Sequence, residues 1–362
     1  MKRRSRQLLG GLVFVAIVGG LVWWSWPEKK EPPADGNSAD ANGGVVKGTR
    51  GGGNSGRADA NKPSATKPAD ANASAGGPTS RHVEKDIASP LAELRTLDAA
   101  AALKAAQAGQ QLINAGKLVE GRSELSKGLL SGQLPTGHAA EARRVLAELA
   151  DRMIFSREVF EDDPYTMHYR FLPGEVLARV ERKLKLHVPT QIVLKVNRIA
   201  SARSIRADQT IKLINGPFHA VVSKSNFTMD IYLHRPPAGH VFVRRLKVGV
   251  GRNGSTPPGM WRVGLGRKLQ RAPWNPPPNS TETRSIAWGE PGYPLGKDGY
   301  WLGLEGVDRR TRIHMGYGIH GTNDPASIGR AESLGCIRLA DADIELVFYL
   351  LYEFWSTVEV LP

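Results

Sequence analysis

The sequence predicts a multidomain chain: an N-terminal transmembrane helix, a disordered linker, a small all-α region, a βααβ module and a mostly-β C-terminal domain. Three changes of pattern predict it. An uncharged apolar run near the N-terminus gives way to a stretch rich in Gly, Ala, Asn, Asp, Pro and Ser. Apolar residues at three- and four-residue spacing follow, and from Pro217 the apolar period becomes two. The expected boundaries are 1–26 for a cytoplasmic tail and membrane helix, 27–88 for the linker, 89–160 for the helical region, 165–215 for the βααβ module and 217–362 for the mostly-β domain.

Residues 1–7 read MKRRSRQ, and residues 8–26 read LLGGLVFVAIVGGLVWWSW. The apolar run is long enough to cross a bilayer as a helix. Trp23, Trp24 and Trp26 stand at its far end, where amphipathic rings suit the interface. The basic flank keeps the N-terminus in the cytoplasm, which puts the folded domains on the outer, cell-wall side of the cell membrane as a single-pass protein. No small-x-small cleavage pattern precedes the Trp cluster, so a retained anchor is expected rather than a cleaved signal. The linker's only large apolar residues are Val45, Val46 and Val83, too few to offset the entropy of ordering it.

In the helical region the apolar spacing of Leu91, Leu94 and Leu97, then Ala101, Leu103, Ala106 and Leu112, predicts helices near 91–114, 118–130 and 138–155. The stretch INAGKLVEGRSELSKGLL is similar to a degenerate tetratricopeptide hairpin, and a plain helical spacer is the alternative. Residues 165–215 predict a strand from Tyr169 to Leu172, a turn at Pro173-Gly174, two short helices and a strand through Ile211, Leu213 and Ile214. The Y-x-x-x-P-G opening, Leu177, Asn197 and the closing strand resemble a LysM domain. That resemblance implies binding of N-acetylglucosamine polymers, with a purely structural module as the alternative. Glu175, Val176, Ala207 and Asp208 depart from the family pattern in the loops where glycan would be held.

The C-terminal domain opens on two strands in FHAVVSKSNFTMDIYLH. Strands follow in VFVRRLKVGVG, MWRVGL, Tyr300–Leu304 and Tyr317–His320, then a helix near 342–355 that Asp341 is placed to cap, and a last strand TVEVL. The stretch 271–284 is expected as a loop near the cleft.

The formal charge is +14, which suits an anionic membrane or an anionic polymer. The basic residues are dispersed and lack interleaved aromatics, so nucleic acid is not an expected partner. One cysteine rules out an internal disulfide and a cysteine-rich metal site. A lone thiol in an exported chain is either a small buried hydrophobe or a group in use.

The chemistry falls in GYGIHGTNDPASIGRAESLGCIRL, residues 316–339. His320 ends a strand before Gly321, and Cys336 follows Gly335 in a Ser-x-Gly-Cys turn. A facing imidazole is what a thiol nucleophile needs, and a glycine beside it lets backbone N–H groups turn toward a developing oxyanion. His314, six residues before His320, would face the same side of one strand. The segment resembles the signature of the L,D-transpeptidases of the YkuD type: H-G-T, a P-x-S-I-G loop, then S-x-G-C-[IV]-R. Leu334 stands where many members have a second histidine.

The resemblance implies a peptidoglycan L,D-transpeptidase of about residues 217–362, a cysteine acyltransferase that takes its acyl group from a tetrapeptide stem and forms 3→3 cross-links in cell-wall biogenesis. The alternatives are an L,D-carboxypeptidase or protein-to-wall attachment by the same thioester, and a non-catalytic wall-binding anchor. Cys336 would be the nucleophile and His320 the base. The Gly321 carbonyl would orient the imidazole, and the N–H groups of Gly335 and Cys336 would form the oxyanion hole. Arg338, Thr322 and Ser333 would serve substrate binding: Arg338 by meeting a carboxylate or by bracing the loop, Thr322 and Ser333 as loop hydrogen-bonders rather than catalysts. No cofactor and no metal are implied. The expected partners are stem peptides, glycan strands and the cytoplasmic membrane.

Overall fold

The computed structural model describes residues 86–277 and 280–362, so the expected membrane helix and nearly all of the linker lie outside the described residues. Among the described residues no helix is long and apolar enough to cross a membrane.

The helical region begins later than its spacing suggests. Leu91 and Leu94 are buried, but Leu94–Thr96 is only a 3-10 turn. Helix α1 (Ala99–Asn114) starts after Asp98, whose carboxylate accepts the Ala101 N–H at 2.7 Å and so satisfies an orphan donor of the first turn. Helices α2 (Leu118–Leu130) and α3 (Thr136–Met153) follow. α1 and α2 pack backbone to backbone. A Cβ at Gly109 would lie 2.4 Å from the Leu125 nitrogen, and one at Gly128 would lie 2.6 Å from the Ala102 carbonyl. The helices are not a free spacer: Leu125, Leu129 and Leu146 share an apolar cluster with Val221, Tyr232 and Phe242 of the C-terminal domain.

The next module has the order β1 (Thr166–Arg170), α4 (Leu177–Leu184), α5 (Thr190–Asn197), β2 (Thr210–Ile214), with β1 and β2 antiparallel. β1 starts at Thr166 rather than Tyr169 because its ladder pairs Thr166 with Ile214, and Leu172 is left exposed in the turn. Val176 is the extended residue before α4 and is also exposed. Asn197 is buried and closes the module: its side chain accepts the Lys212 N–H and donates to the Val193 and Lys212 carbonyls.

Two buried polar ties join this module to the helices. Lys212 donates to the carbonyls of Met153 (2.6 Å), Ser156 (3.0 Å) and Glu158 (2.6 Å), and burial lowers its pKa to about 8. Arg122 of α2 forms an ion pair with Asp163 at 2.8 Å, both side chains being fully enclosed. Asp163 also accepts from Tyr165 N and Thr166 Oγ1, each at 3.0 Å.

The C-terminal domain is mostly β. It contains β3 (Phe218–Ser223), β4 (Thr228–His234), β5 (His240–Lys247), β6 (Val250–Gly251), β7 (Gly259–Leu269), β8 (Trp301–Gly306), β9 (Gly318–Gly321), β10 (Ala331–Ser333), β11 (Ile337–Leu339), α6 (Asp341–Leu350) and β12 (Thr357–Leu361). Eight strands form one mixed sheet in the order β11-β9-β8-β7-β12-β3-β4-β5. The period of two sorts its faces. Ala220, Val222, Ile231, Val241 and Val243 enter the main core, while their neighbours Val221, Tyr232 and Phe242 face the helices. Asp341 does not cap α6 with its side chain. It is the first residue of the helix, after Ala340, and its carboxylate accepts the Lys297 N–H at 3.2 Å.

Asp163→Ala should lower unfolding stability by about 3–5 kcal/mol, because it leaves the enclosed Arg122 charge unpaired. An Arg122→Met, Asp163→Leu double variant should recover most of that loss in denaturant unfolding.

Candidate active site

The residues singled out from the sequence gather at the β11 edge of the large sheet. β11 runs parallel to β9, with Ile337 opposite Ile319 and Arg338 opposite His320. Cys336, one residue before β11, therefore falls beside Gly318. In a parallel pair, residues opposite one another share a face, and so do residues two apart along a strand. Cys336, His320 and Arg338 thus lie on one face. Antiparallel pairing of β8 with β9 adds Trp301, whose register partner is His320. His314 does not share that strand: it sits in the turn region before β9, its ring 5.7 Å from that of Tyr317 and 6.4 Å from that of Trp261.

His320 is buried, and its Nδ1 lies 2.5 Å from the Gly321 carbonyl. That contact places the proton on Nδ1 and leaves Nε2 as the basic nitrogen. Burial lowers the imidazole pKa to about 4. The Gly321 hydrogen bond opposes this and the Arg338 charge adds to it. The Trp301 ring stacks on the imidazole at 5.6 Å between centroids and 15° between planes.

Cys336 keeps a partly exposed edge, and its thiol points to the Gly316 carbonyl at 3.9 Å. Burial raises the thiol pKa to about 11, against the lowering effects of the Gly318 backbone and the Arg338 guanidinium. Burial thus pushes thiol and imidazole in opposite directions on the pH scale, both toward the uncharged form. At neutral pH the two groups rest as a thiol and a neutral imidazole on one face, the protonation states from which general-base activation starts.

The turn that carries Cys336 is held from below. Ser333 Oγ donates to the Cys336 carbonyl at 2.6 Å and accepts the Gly335 N–H at 3.1 Å. Thr256 Oγ1 donates to the Gly335 carbonyl at 2.7 Å and accepts the Gly251 N–H at 2.8 Å. Gly335 has φ +142°, and a Cβ there would lie 2.8 Å from the Tyr317 ring, so the turn requires glycine twice over. The Gly335 N–H is occupied by Ser333 and does not stand ready as the expected oxyanion donor. Thr322 is likewise occupied, its hydroxyl accepting the Asp324 N–H at 3.1 Å. The hydroxyls of Ser333 and Thr322 both hold loops, as hydrogen-bonders of the kind expected. Thr256, between β6 and β7, is a further residue of this support that no motif in the sequence marks, because its partner Gly335 is distant in the chain.

Arg338 has no carboxylate partner among the described residues, while its backbone exchanges two 2.9 Å hydrogen bonds with Gly249. Its charge acts on both His320 and Cys336. Among the described residues there is no group of His, Cys, Asp and Glu able to hold a metal ion.

Residues 217–360 match the family model YkuD, the L,D-transpeptidase catalytic domain. This segment is an L,D-transpeptidase catalytic domain. The chain is similar to ErfK/SrfK of Escherichia coli (strain K12), named a probable L,D-transpeptidase, at 35% identity over 123 residues. That match covers 33% of this chain and 37% of the relative, so the chain spans little more than a third of that relative's length. It is also similar to the YkuD protein of Bacillus licheniformis, at 29% identity over 184 residues, 49% of this chain and 88% of that one. Among solved structures it is similar to an L,D-transpeptidase from Mycobacterium smegmatis, with a TM-score of 0.30, 13% identity and coverage of 43% of this chain and 64% of that one.

In the full chain, where Cys336 is the single cysteine, iodoacetamide should label slowly at neutral pH. The rate should keep climbing as pH approaches about 11, instead of levelling near the ~8.5 of an ordinary thiol. Arg338→Ala removes the cation that favours the thiolate, so it should slow labelling further at every pH below that value; mass spectrometry of the carbamidomethyl adduct reads both effects.

Proposed function

We propose that the chain is a peptidoglycan L,D-transpeptidase in which Cys336 is the nucleophile and His320 the base. The observation that carries the reading is the placement of Cys336, His320 and Arg338 on one face, with the Gly321 carbonyl fixing the imidazole, inside a segment that matches the L,D-transpeptidase catalytic domain. The thiol attacks the carbonyl that joins a stem diamino acid to the terminal D-alanine of a tetrapeptide. His320 takes the thiol proton through Nε2 as the carbon–sulfur bond forms. The backbone N–H of Cys336 meets the developing oxyanion, since that of Gly335 is held by Ser333. Collapse of the tetrahedral intermediate breaks the carbon–nitrogen bond, and His320 returns the proton to the departing D-alanine amine. An amine from a neighbouring stem then attacks the thioester, His320 takes its proton, and the thiol is released with a 3→3 cross-link formed. The unpaired Arg338 guanidinium suits a substrate carboxylate through its planar fork.

The rest of the chain fits a cell-wall setting. The basic flank and apolar run at 1–26 form a membrane anchor, residues 27–88 a tether, and the folded part stands on the outer side of the cell membrane. The βααβ order and the Asn197 clasp support a LysM-like module. Its Glu175 carboxylate is tied to the Tyr169 hydroxyl and the Leu172 N–H, which leaves the exposed Leu172 and Val176 as the apolar edge a sugar face would meet.

Incubation of the full chain with a tetrapeptide-containing muropeptide tests the assignment. The expected result is release of D-alanine with a mass adduct on Cys336, followed by a cross-linked dimer; release with water as sole acceptor would make it a carboxypeptidase. A folded Cys336→Ala protein should do neither, and wild type that gives neither product nor adduct sinks the proposal. Arg338→Ala should raise KM about tenfold or more, with a smaller effect on kcat, in D-alanine release assays.

A further inference from the structure

The indole of Trp301 lies against the ring of His320 in a way that no step of the proposed reaction uses. Trp301 is the register partner of His320 and stacks on it at 5.6 Å and 15°. The stack is built into the backbone around it. A Cβ at Gly318, two residues before His320 and on its face, would lie 2.6 Å from Trp301 Cζ2 and 2.8 Å from Cη2. A Cβ at Gly303 would lie 3.1 Å from the indole Nε1. The neighbouring strand β9, at Gly318, and β8 itself, at Gly303, therefore each give up a side chain where the indole passes, and the ring spans from the imidazole toward the position of Cys336 opposite Gly318.

The indole is in turn held from outside the sheet. Among the described residues of the connection 270–300 between β7 and β8, Ala272, Ile286, Tyr293 and Leu295 form a small apolar cluster, and Trp274 and Trp301 pack against it. Paired backbone bonds between Trp274 and Ile286, at 2.8 and 3.0 Å, and the Tyr293 hydroxyl on the Ala272 carbonyl give this arm its own shape. The same arm touches the other side of the histidine's support. Gly321, whose carbonyl holds Nδ1, has no room for a Cβ because the Leu295 carbonyl would be 2.8 Å away. The Asn323 N–H donates to the Pro294 carbonyl at 3.3 Å.

We propose that Trp301 is the positioning residue of His320, and that the arm 270–300 sets its position, so that the seating of the arm decides the orientation and water exposure of the base. This rests on the reading of His320 as base. Trp301 acts through the imidazole and takes no part in bond making. Its apolar face excludes water from a ring whose neutral form must accept the thiol proton. The ionisable groups around that ring are Arg338 and Cys336 from the β11 side and Asp341 of α6 beside Gly321, with none supplied by Trp301.

The test uses the full chain with Trp301→Leu, Trp301→Phe and Ile286→Ala. Two readouts are followed: the NMR titration of the His320 ring, assigned with His320→Gln, and the pH profile of D-alanine release from a tetrapeptide stem. Admitting water raises the pKa of a histidine that burial had depressed, so the acid limb moves to higher pH. Trp301→Leu should shift both the ring titration and the acid limb upward by about one pH unit or more and lower kcat about tenfold, with KM within about twofold. Trp301→Phe, which keeps a stacked ring, should shift by less than about half a unit. Ile286→Ala, which loosens the arm without entering the sheet, should shift in the same direction by a smaller amount. A merely structural Trp301 would lower the melting temperature while leaving both the titration and the limb in place, and that result overturns the proposal. If Trp301→Leu does not fold, an unshifted Ile286→Ala overturns it equally. D-alanine release at the wild-type rate by His320→Gln would instead overturn the base assignment, an outcome separate from the ring titration.

Discussion

The parallel pairing of β11 with β9 is the constraint on which the site depends. Side chains alternate across a strand, so a slip of one residue would send Cys336 and Arg338 to the opposite face from His320. The register is held at several points outside the ladder itself. Arg338 is bridged through its backbone to Gly249, Ser333 clasps the Cys336 turn, and Thr256 ties Gly335 to Gly251. Each tie uses a buried polar group with a partner, the arrangement in which such groups rigidify rather than destabilise. The hydroxyls of Ser333 and Thr256 are the means by which the Cys336 turn is kept in one place.

The electrostatics follow from the same burial. An enclosed imidazole hydrogen-bonded to a backbone carbonyl, rather than to a carboxylate, gains too little from that bond to offset the burial of its charged form. The thiol likewise sits where its anion is disfavoured. Arg338 works in opposite senses on the two groups, favouring thiolate and opposing imidazolium. This setting suits proton transfer coupled to attack, and it leaves little thiolate for oxidants at rest.

The helices and the βααβ module form part of the catalytic domain's support. Alternate residues of β3, β4 and β5 face two different clusters, so the sheet is covered on both sides only when the helical region is present. The Arg122–Asp163 pair and the Lys212 clasp cross between these parts and leave enclosed charge if either part moves away.

Much of this was legible in the chain itself. The change from helical spacing to period two placed the mostly-β domain, and the His-Gly-Thr and Ser-x-Gly-Cys elements brought out His320, Gly321 and Cys336 before any geometry was known. The short-range pattern determined these because they depend on residues close in sequence: alternation, turn glycines and a fixed motif. Contacts between distant residues were decided by tertiary structure alone. Asp98 took the cap that the leucine spacing hid, and Asp341 left its expected cap to hold Lys297. Ser333 claimed the Gly335 N–H, and Trp301, inside the expected strand Tyr300–Leu304, came to lie on the His320 imidazole. No local pattern carries that information, because strand register and loop closure set which side chains meet, and both are settled by the packing of the whole sheet.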